Sequence, residues 1–264
     1  MKKVLMLLAA AALVGGVYAP MQVRAATSSL TDIQSGDLVR GQSFSAVYYY
    51  GKDGFRYVFP NDKTYFTWYS NFDSVKWLTD ADLATIQIGG NVTYKPGSRM
   101  VKINSDPKTY AVDEGGSLRW ITSEAVAVAS YGSAWNTMID DVPDAFFSNY
   151  DMGSDIEAAD DYSATEAAAS ASSINNDKDL QAATVIRIQD MAFSSATVTI
   201  DAGTAVRFIN DDDTKHNATA DDESWGTGTL TEGQSFSRYF DEAGTYTYHC
   251  TYHPDMVATI VVTD

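Results

Sequence analysis

The sequence predicts a mainly β protein: a C-terminal Greek-key β-sandwich preceded by an α+β domain of two repeated hairpin-plus-helix units. Three observations carry this prediction. From about Ala183 onward, short β-branched or aromatic runs alternate with Gly and Asp turns. Upstream, VYYYGKDGFRYVFPN (47–61) aligns with YAVDEGGSLRWITSE (110–124), matching Arg56 to Arg119, Tyr57 to Trp120 and Val58 to Ile121. Between the two lies a stretch rich in Ala, Ser and Asp that holds one aromatic residue, Tyr162.

The chain of 264 residues begins MKKVLMLLAAAALVGGVYAPMQVRAATSS. Lys2 and Lys3 precede an apolar run from Val4 to about Val17, and Val23-Arg24-Ala25 supplies small residues where a signal peptidase reads. The run is too short to span a bilayer, so residues 1–25 read as a secretory signal peptide. The protein is then exported, whether periplasmic, envelope-associated or secreted, with no transmembrane segment in the mature chain. Without Lys2, Lys3 and Arg24, the 18 basic residues fall to 15 against 35 acidic ones, a net charge of −20. Such a surface repels a polyanion and excludes nucleic acid as a partner.

The repeat domain spans residues 36–153, with units at about 36–93 and 98–153. In the first, VYYY and FRYVF flank the turn residues Gly51 to Gly54, Asn61 caps a helix over DKTYFTWY, and Thr79 with Asp82 forms a capping box for DADLATI. In the second, DEGG is the turn, Ser123 caps EAVAVASY and Gly132 stops it. The pattern of aromatic strand, Gly turn, Arg-aromatic and helix resembles a repeat module of exported bacterial proteins for which no chemistry is defined. Its aromatic residues (Tyr48, Tyr49, Tyr50, Tyr57, Trp68, Tyr69, Trp77, Trp120, Trp135) leave two readings open. They form the cores of small units, or they offer stacking platforms for a cell-wall glycan or other envelope component. Residues 154–183 bring too little apolar surface to offset ordering entropy and read as a linker, with some helix from Ala and Glu.

In the region 184–264, TVIRIQ, ATVTIDAG, AVRFIN, QSFSRYF, GTYTYHC and ATIVVT supply the strands of the sandwich. Period-two alternation in GTYTYHC puts Tyr246, Tyr248 and Cys250 on one face and Thr245, Thr247 and His249 on the other. Cys250, the only cysteine, cannot form an internal disulfide, and an unpaired thiol in an oxidising compartment calls for burial, an intermolecular bridge or a metal. His253 and Met256 follow in what reads as a tight loop, giving Cys-x-x-His-x-x-Met. His216, in the loop after AVRFIN, is the remaining candidate histidine, because His249 points away. Two imidazoles, one thiolate and a weak thioether make the ligand set of a blue-copper site.

The ligand loop CTYHPDM, the opening DMAFSSATVTIDAGTAVRFIN and the strand AGTYTYHC resemble the cupredoxin family, of the plastocyanin and amicyanin kind. The resemblance implies one type 1 copper per chain, with His216, Cys250 and His253 as equatorial ligands and Met256 as the axial one. It also implies that Asn210 ties the first-histidine loop to Thr251. Tyr252 stands where family members often carry proline, so its N–H is free to donate to the Cys250 sulfur. The function implied is carriage of single electrons between redox protein partners, with His253 as the exposed edge. Three histidines are too few for the additional copper centres of a catalytic oxidase, so the chain reads as a non-enzyme. Copper capture and delivery is the competing function for the same ligands. An envelope scaffold with an accessory copper domain is the competing function for the whole chain.

Overall fold

The computed structural model describes residues 26–103 and 105–264. The signal peptide expected over residues 1–25 lies outside the described residues. Among those that are described, no helix is long and apolar enough to cross a membrane.

The two halves of the N-terminal region repeat one topology. The first unit contains β1 (Leu38–Arg40), β2 (Tyr48–Tyr50), β3 (Arg56–Val58), α1 (Asp62–Trp68), β4 (Val75–Trp77), α2 (Asp80–Thr85) and β5 (Ile88–Asn91). The second contains β6 (Met100–Lys102), β7 (Tyr110–Asp113), β8 (Ser117–Trp120), α3 (Glu124–Tyr131), β9 (Ile139–Asp141), α4 (Asp144–Phe147) and β10 (Asp151–Met152). Each unit builds one sheet, in the orders β4-β1-β2-β3-β5 and β9-β6-β7-β8-β10: an antiparallel meander flanked by two parallel edge strands. Capping side chains set the helix starts. Asn61 accepts from the Thr64 N–H, Thr79 from Asp82 and Ser123 from Val126, and Gly132 closes α3 with φ +81°.

A salt bridge recurs at matching places with its polarity reversed. In the first unit Asp37, just before β1, accepts from Lys76 on β4 at 2.7 Å. In the second, Arg99, just before β6, donates to Asp140 on β9 at 2.6 Å. In both units an ion pair joins the residue that leads into the meander to its parallel neighbour, with the cation on opposite sides. Of the nine aromatic residues noted above, Tyr49, Tyr50 and Tyr57 are buried and the other six half-buried, so the rings pack into the units and six keep part of their surface exposed.

Residues 154–183 are not the tether expected from composition. They hold α5 (Ala164–Ser170) and α6 (Ile174–Asp177), and Tyr162, Ala164, Ala167, Ala171, Ile174 and Leu180 are buried. The Tyr162 hydroxyl donates to the Val112 carbonyl of the second unit at 2.9 Å. Asn175 reaches the first unit, accepting from the Lys52 N–H at 3.0 Å and donating to Ser35 Oγ at 2.9 Å. Alanine loses almost no side-chain entropy on burial and permits close backbone approach, so an Ala-rich segment packs where larger residues would not fit. At Gly97 (φ +67°) a Cβ would lie 1.9 Å from the Ala164 carbonyl oxygen, so this contact needs the glycine.

The C-terminal region is a sandwich of two four-stranded sheets. One has the order β12-β11-β14-β16, from β11 (Thr184–Gln189), β12 (Ala192–Phe193), β14 (Thr204–Asn210) and β16 (Ser235–Phe240). The other has the order β13-β18-β17-β15, from β13 (Thr197–Asp201), β15 (Thr219–Ala220), β17 (Gly244–Cys250) and β18 (His253–Thr263). Their inner faces share one core that includes Ile186, Val206, Phe208, Trp225, Phe240, Tyr248 and Ile260. Chain order matches the predicted strands, with the short β12 and β15 added.

The outer face of the first of these sheets is covered by the first repeat unit. Tyr239 stacks on Phe55 at 5.1 Å between centroids, and its hydroxyl donates to Asp53 Oδ2 at 2.7 Å. Tyr57 donates to the same oxygen. The Ser237 N–H donates to Gln87 Oε1 at 2.7 Å, and Ser237 Oγ donates to the Gly54 carbonyl at 3.2 Å. Asp53 is fully buried, and its carboxylate is satisfied by phenols from both sides of the seam. The sandwich is therefore packed against the repeats and not suspended from them.

Candidate metal centre

The site forms at one end of the sandwich, where β17 turns into β18. Cys250 closes β17, fully buried on the same face as Tyr248, while His249 points outward and bonds through Nδ1 to Asp221 Oδ1 at 2.7 Å. After the turn at Thr251 and Tyr252, β18 already begins at His253, where the sequence suggested a loop. The ladder pairs Cys250 with His253 but His249 with Val257, so Pro254, Asp255 and Met256 form a bulge without partners on β17. A bulge bends its strand and re-aims side chains. Met256 is buried here in the core cluster that contains Cys250, while Pro254 and Asp255 stay exposed.

His216 comes from the other side, in the connection between β14 and β15. Its backbone forms a two-way pair with Leu230, at 3.1 and 2.8 Å, and its ring is fully buried. Nδ1 of His216 lies 3.2 Å from Nδ1 of His253 and 3.8 Å from Cys250 Sγ, and His253 Nδ1 lies 3.7 Å from that sulfur. An ion bonded at about 2.0 Å to nitrogen and 2.3 Å to sulfur, in the plane of three donors, separates nitrogens by roughly 3.5 Å and nitrogen from sulfur by about 3.7 Å. The donor triangle fits one ion, and His216, Cys250 and His253 are the single such cluster among the described residues. A thiolate, two imidazoles and a neighbouring thioether favour copper among first-row metals.

The electrostatics agree with a metal-binding imidazole. Burial pushes the His216 pKa down, the nearby His253 adds to this, and Asp212 opposes it, so the ring is neutral with a lone pair to donate near neutral pH. Asp212 is itself held below the usual carboxylate range, first by the Met191 N–H.

Two expectations for the surrounding residues are corrected. Asn210 does not reach Thr251. Its Nδ2 donates to the Thr214 and Leu230 carbonyls at 2.8 and 2.9 Å and its Oδ1 accepts from the Asp212 N–H at 3.0 Å, so both amide hydrogens go to the histidine loop and to the segment that pairs with His216. The tie comes from Asn217, the residue after His216. Thr251 N–H donates to Asn217 Oδ1 at 2.8 Å and Asn217 Nδ2 donates to Thr251 Oγ1 at 2.7 Å. Nor does Tyr252 supply the sulfur's amide donor. Among the described residues that bond comes from the Asn217 N–H, 3.5 Å from Cys250 Sγ, and the exposed Tyr252 bonds through its hydroxyl to Thr229 at 2.6 Å. The turn carries Tyr252 outward, whereas the chain after His216 passes directly over the sulfur. Adjacency to a ligand was the signal for Asn217; Asp212 had none beyond lying four residues before His216.

Comparison with known proteins agrees with this site. Residues 180–263 match the model of the copper binding proteins, plastocyanin/azurin family. Amicyanin of Paracoccus versutus is 32% identical over 85 residues, covering 30% of this chain and 64% of that protein, so the chain spans less than two thirds of that relative. Plastocyanin of Scenedesmus fuscus is 34% identical over 85 residues, covering 27% of this chain and 87% of that protein. The crystal structure of amicyanin from Paracoccus versutus aligns at 32% identity over 31% of this chain and 81% of that one, with a TM-score of 0.29. Through its C-terminal sandwich, this chain belongs to the plastocyanin/azurin family of copper-binding proteins.

Proposed function

We propose that the protein is a blue copper electron carrier that receives and passes single electrons between redox protein partners. The observation that carries this reading is the donor triangle of His216, Cys250 and His253, held by hydrogen bonds between Asn217 and Thr251 that leave the three donor atoms free. When bound, copper supplies the one-electron couple between its cupric and cuprous states. The residues supply a frame that suits both states tolerably, so little has to move. Cys250 and His216 are sealed from solvent, which keeps the lone thiolate from oxidants. His253 is half-buried beside the exposed Tyr252 and Pro254 and offers the route between site and surface.

The same donors serve the competing reading, copper delivery. Burial of two of the three favours retention of the metal over its release. The leader pattern in residues 1–25 supports export, and the repeat units are the part of the chain assigned to attachment at the cell envelope, through glycan or protein. With two of its three histidines at one centre, the chain lacks donors for a second, catalytic copper site of the multi-histidine kind. Voltammetry of the copper-loaded protein tests the carrier reading, with a reversible one-electron wave and fast self-exchange as the expected result. Transfer of copper to an acceptor peptide faster than electron exchange supports delivery instead.

A further inference from the structure

We propose that Asp212 is the positioning residue for His216: its carboxylate fixes which ring nitrogen faces the ion and biases the site toward the oxidised state. The inference rests on the copper-site reading above.

The geometry of the ring carries it. Nδ1 of His216 faces Cys250 and His253. The opposite nitrogen, Nε2, lies 3.1 Å from Asp212 Oδ2. A neutral imidazole has one donor and one acceptor nitrogen, and the nitrogen that faces a metal must be the acceptor. Nε2 therefore carries the hydrogen and donates it to the carboxylate. The ring is fully buried, so without Asp212 this N–H loses the partner it has among the described residues, and the carboxylate no longer orients the ring before an ion binds.

Asp212 is in turn held rigidly. β11 and β12 are joined by the two-residue turn Asp190-Met191, both residues in the left-handed region at φ 53° and 61°. That turn aims two consecutive N–H groups at the carboxylate: Asp190 donates to Oδ1 at 2.8 Å and Met191 to Oδ2 at 3.0 Å. The Asp212 N–H donates to Asn210 Oδ1, and Asn210 Nδ2 donates to the carbonyl of Leu230, the residue that pairs with the His216 backbone. Hairpin turn, carboxylate, ring and backbone thus close into one frame. The side chain of Asp212 is 16% exposed, so its charge is only partly screened from the imidazole. A fixed negative charge behind a ligand stabilises the more positive state of the ion and lowers the reduction potential. The turn's two N–H groups share the carboxylate's electron density, which keeps it an acceptor and leaves the proton on Nε2.

The test uses the full-length copper-loaded protein and its D212N variant. Asn keeps an acceptor for the turn and loses the charge. The expected result is a retained thiolate-to-copper absorption band with at least a tenfold shift in relative affinity toward the cuprous ion. That shift is read as a potential raised by about 59 mV or more. A retained band with an unchanged or lowered potential overturns the proposal. If D212N fails to fold, nitrogen NMR of the unaltered protein with cuprous ion decides. A slowly exchanging hydrogen on His216 Nε2 is expected, and a bare or freely exchanging Nε2 overturns it. A missing band in the unaltered protein refutes the copper reading itself, so the two failures are distinguishable.

Discussion

Asn217 and Thr251 join the two ligand-bearing segments through a pair of hydrogen bonds, the Thr251 N–H to Asn217 Oδ1 at 2.8 Å and Asn217 Nδ2 to Thr251 Oγ1 at 2.7 Å. One residue precedes each partner in the chain, and both of those are ligands, His216 and Cys250. The side-chain amide therefore fixes the distance between an imidazole and the thiolate from outside the site. The Asn217 N–H also points at Cys250 Sγ, at 3.5 Å.

Removing that amide while keeping the backbone tests the relationship. The variant N217A loses two part-buried hydrogen bonds and leaves the Thr251 N–H without its partner, a loss of about 2 kcal/mol. Denaturant unfolding of the metal-free protein measures it. A change below ~0.5 kcal/mol contradicts the claim that Asn217 holds the site together before copper arrives.

The seam between the repeats and the sandwich rests on Asp53, which accepts from Tyr57 on one side and Tyr239 on the other. Y239F keeps the stack on Phe55 and deletes one donor to a buried carboxylate. We expect it to lower stability by roughly 1.5–3 kcal/mol, the range for a hydrogen bond to a charged group. Single-transition unfolding of the unaltered protein is the companion expectation, because the seam couples the two regions. Unfolding of Y239F at an unchanged denaturant midpoint argues against that coupling.

Asp177, at the end of α6, accepts from the Gly115 N–H at 3.1 Å, and burial raises its pKa to about 6. An acid whose folded pKa lies above its unfolded value binds its proton more tightly in the folded state. Its effect on stability is therefore neutral at low pH and becomes unfavourable as pH rises through about 4 to 6, reaching on the order of 3 kcal/mol by pH 7. D177N keeps an acceptor for Gly115 without the charge. It should stabilise the protein at pH 7 and have little effect at pH 4, as measured by thermal unfolding at both. Equal effects at the two pH values contradict the burial account.

The strands of the sandwich were legible because alternation of β-branched and polar residues records which face is buried, and β11, β14, β16 and β17 begin and end near the predicted runs. The helix starts were legible because Asn61, Thr79 and Ser123 cap locally. The edge strands β4, β5, β9 and β10 were not, since each exists only through a parallel pairing with a distant strand. The ligands stood out by scarcity, as the chain has one cysteine and three histidines. The sequence points to Asn210, at the strand end, and not to Asn217, which flanks the same loop on its other side. The loop folds back on Asn210 through Thr214, and Leu230 from beyond β15 takes its other amide hydrogen, a tertiary fact that leaves Asn217 facing Thr251. The packing of residues 154–183 is not legible from composition, which counts alanine as weakly apolar and does not register how closely it lets backbones approach, as Ala164 does at Gly97.

Addition of one equivalent of cupric ion to the purified protein, followed by visible and electron paramagnetic resonance spectroscopy, tests the centre most directly. We predict an intense thiolate-to-copper band with narrow hyperfine splitting that disappears in C250S. A pale complex with wide splitting, or a band that survives in C250S, contradicts a site built on Cys250.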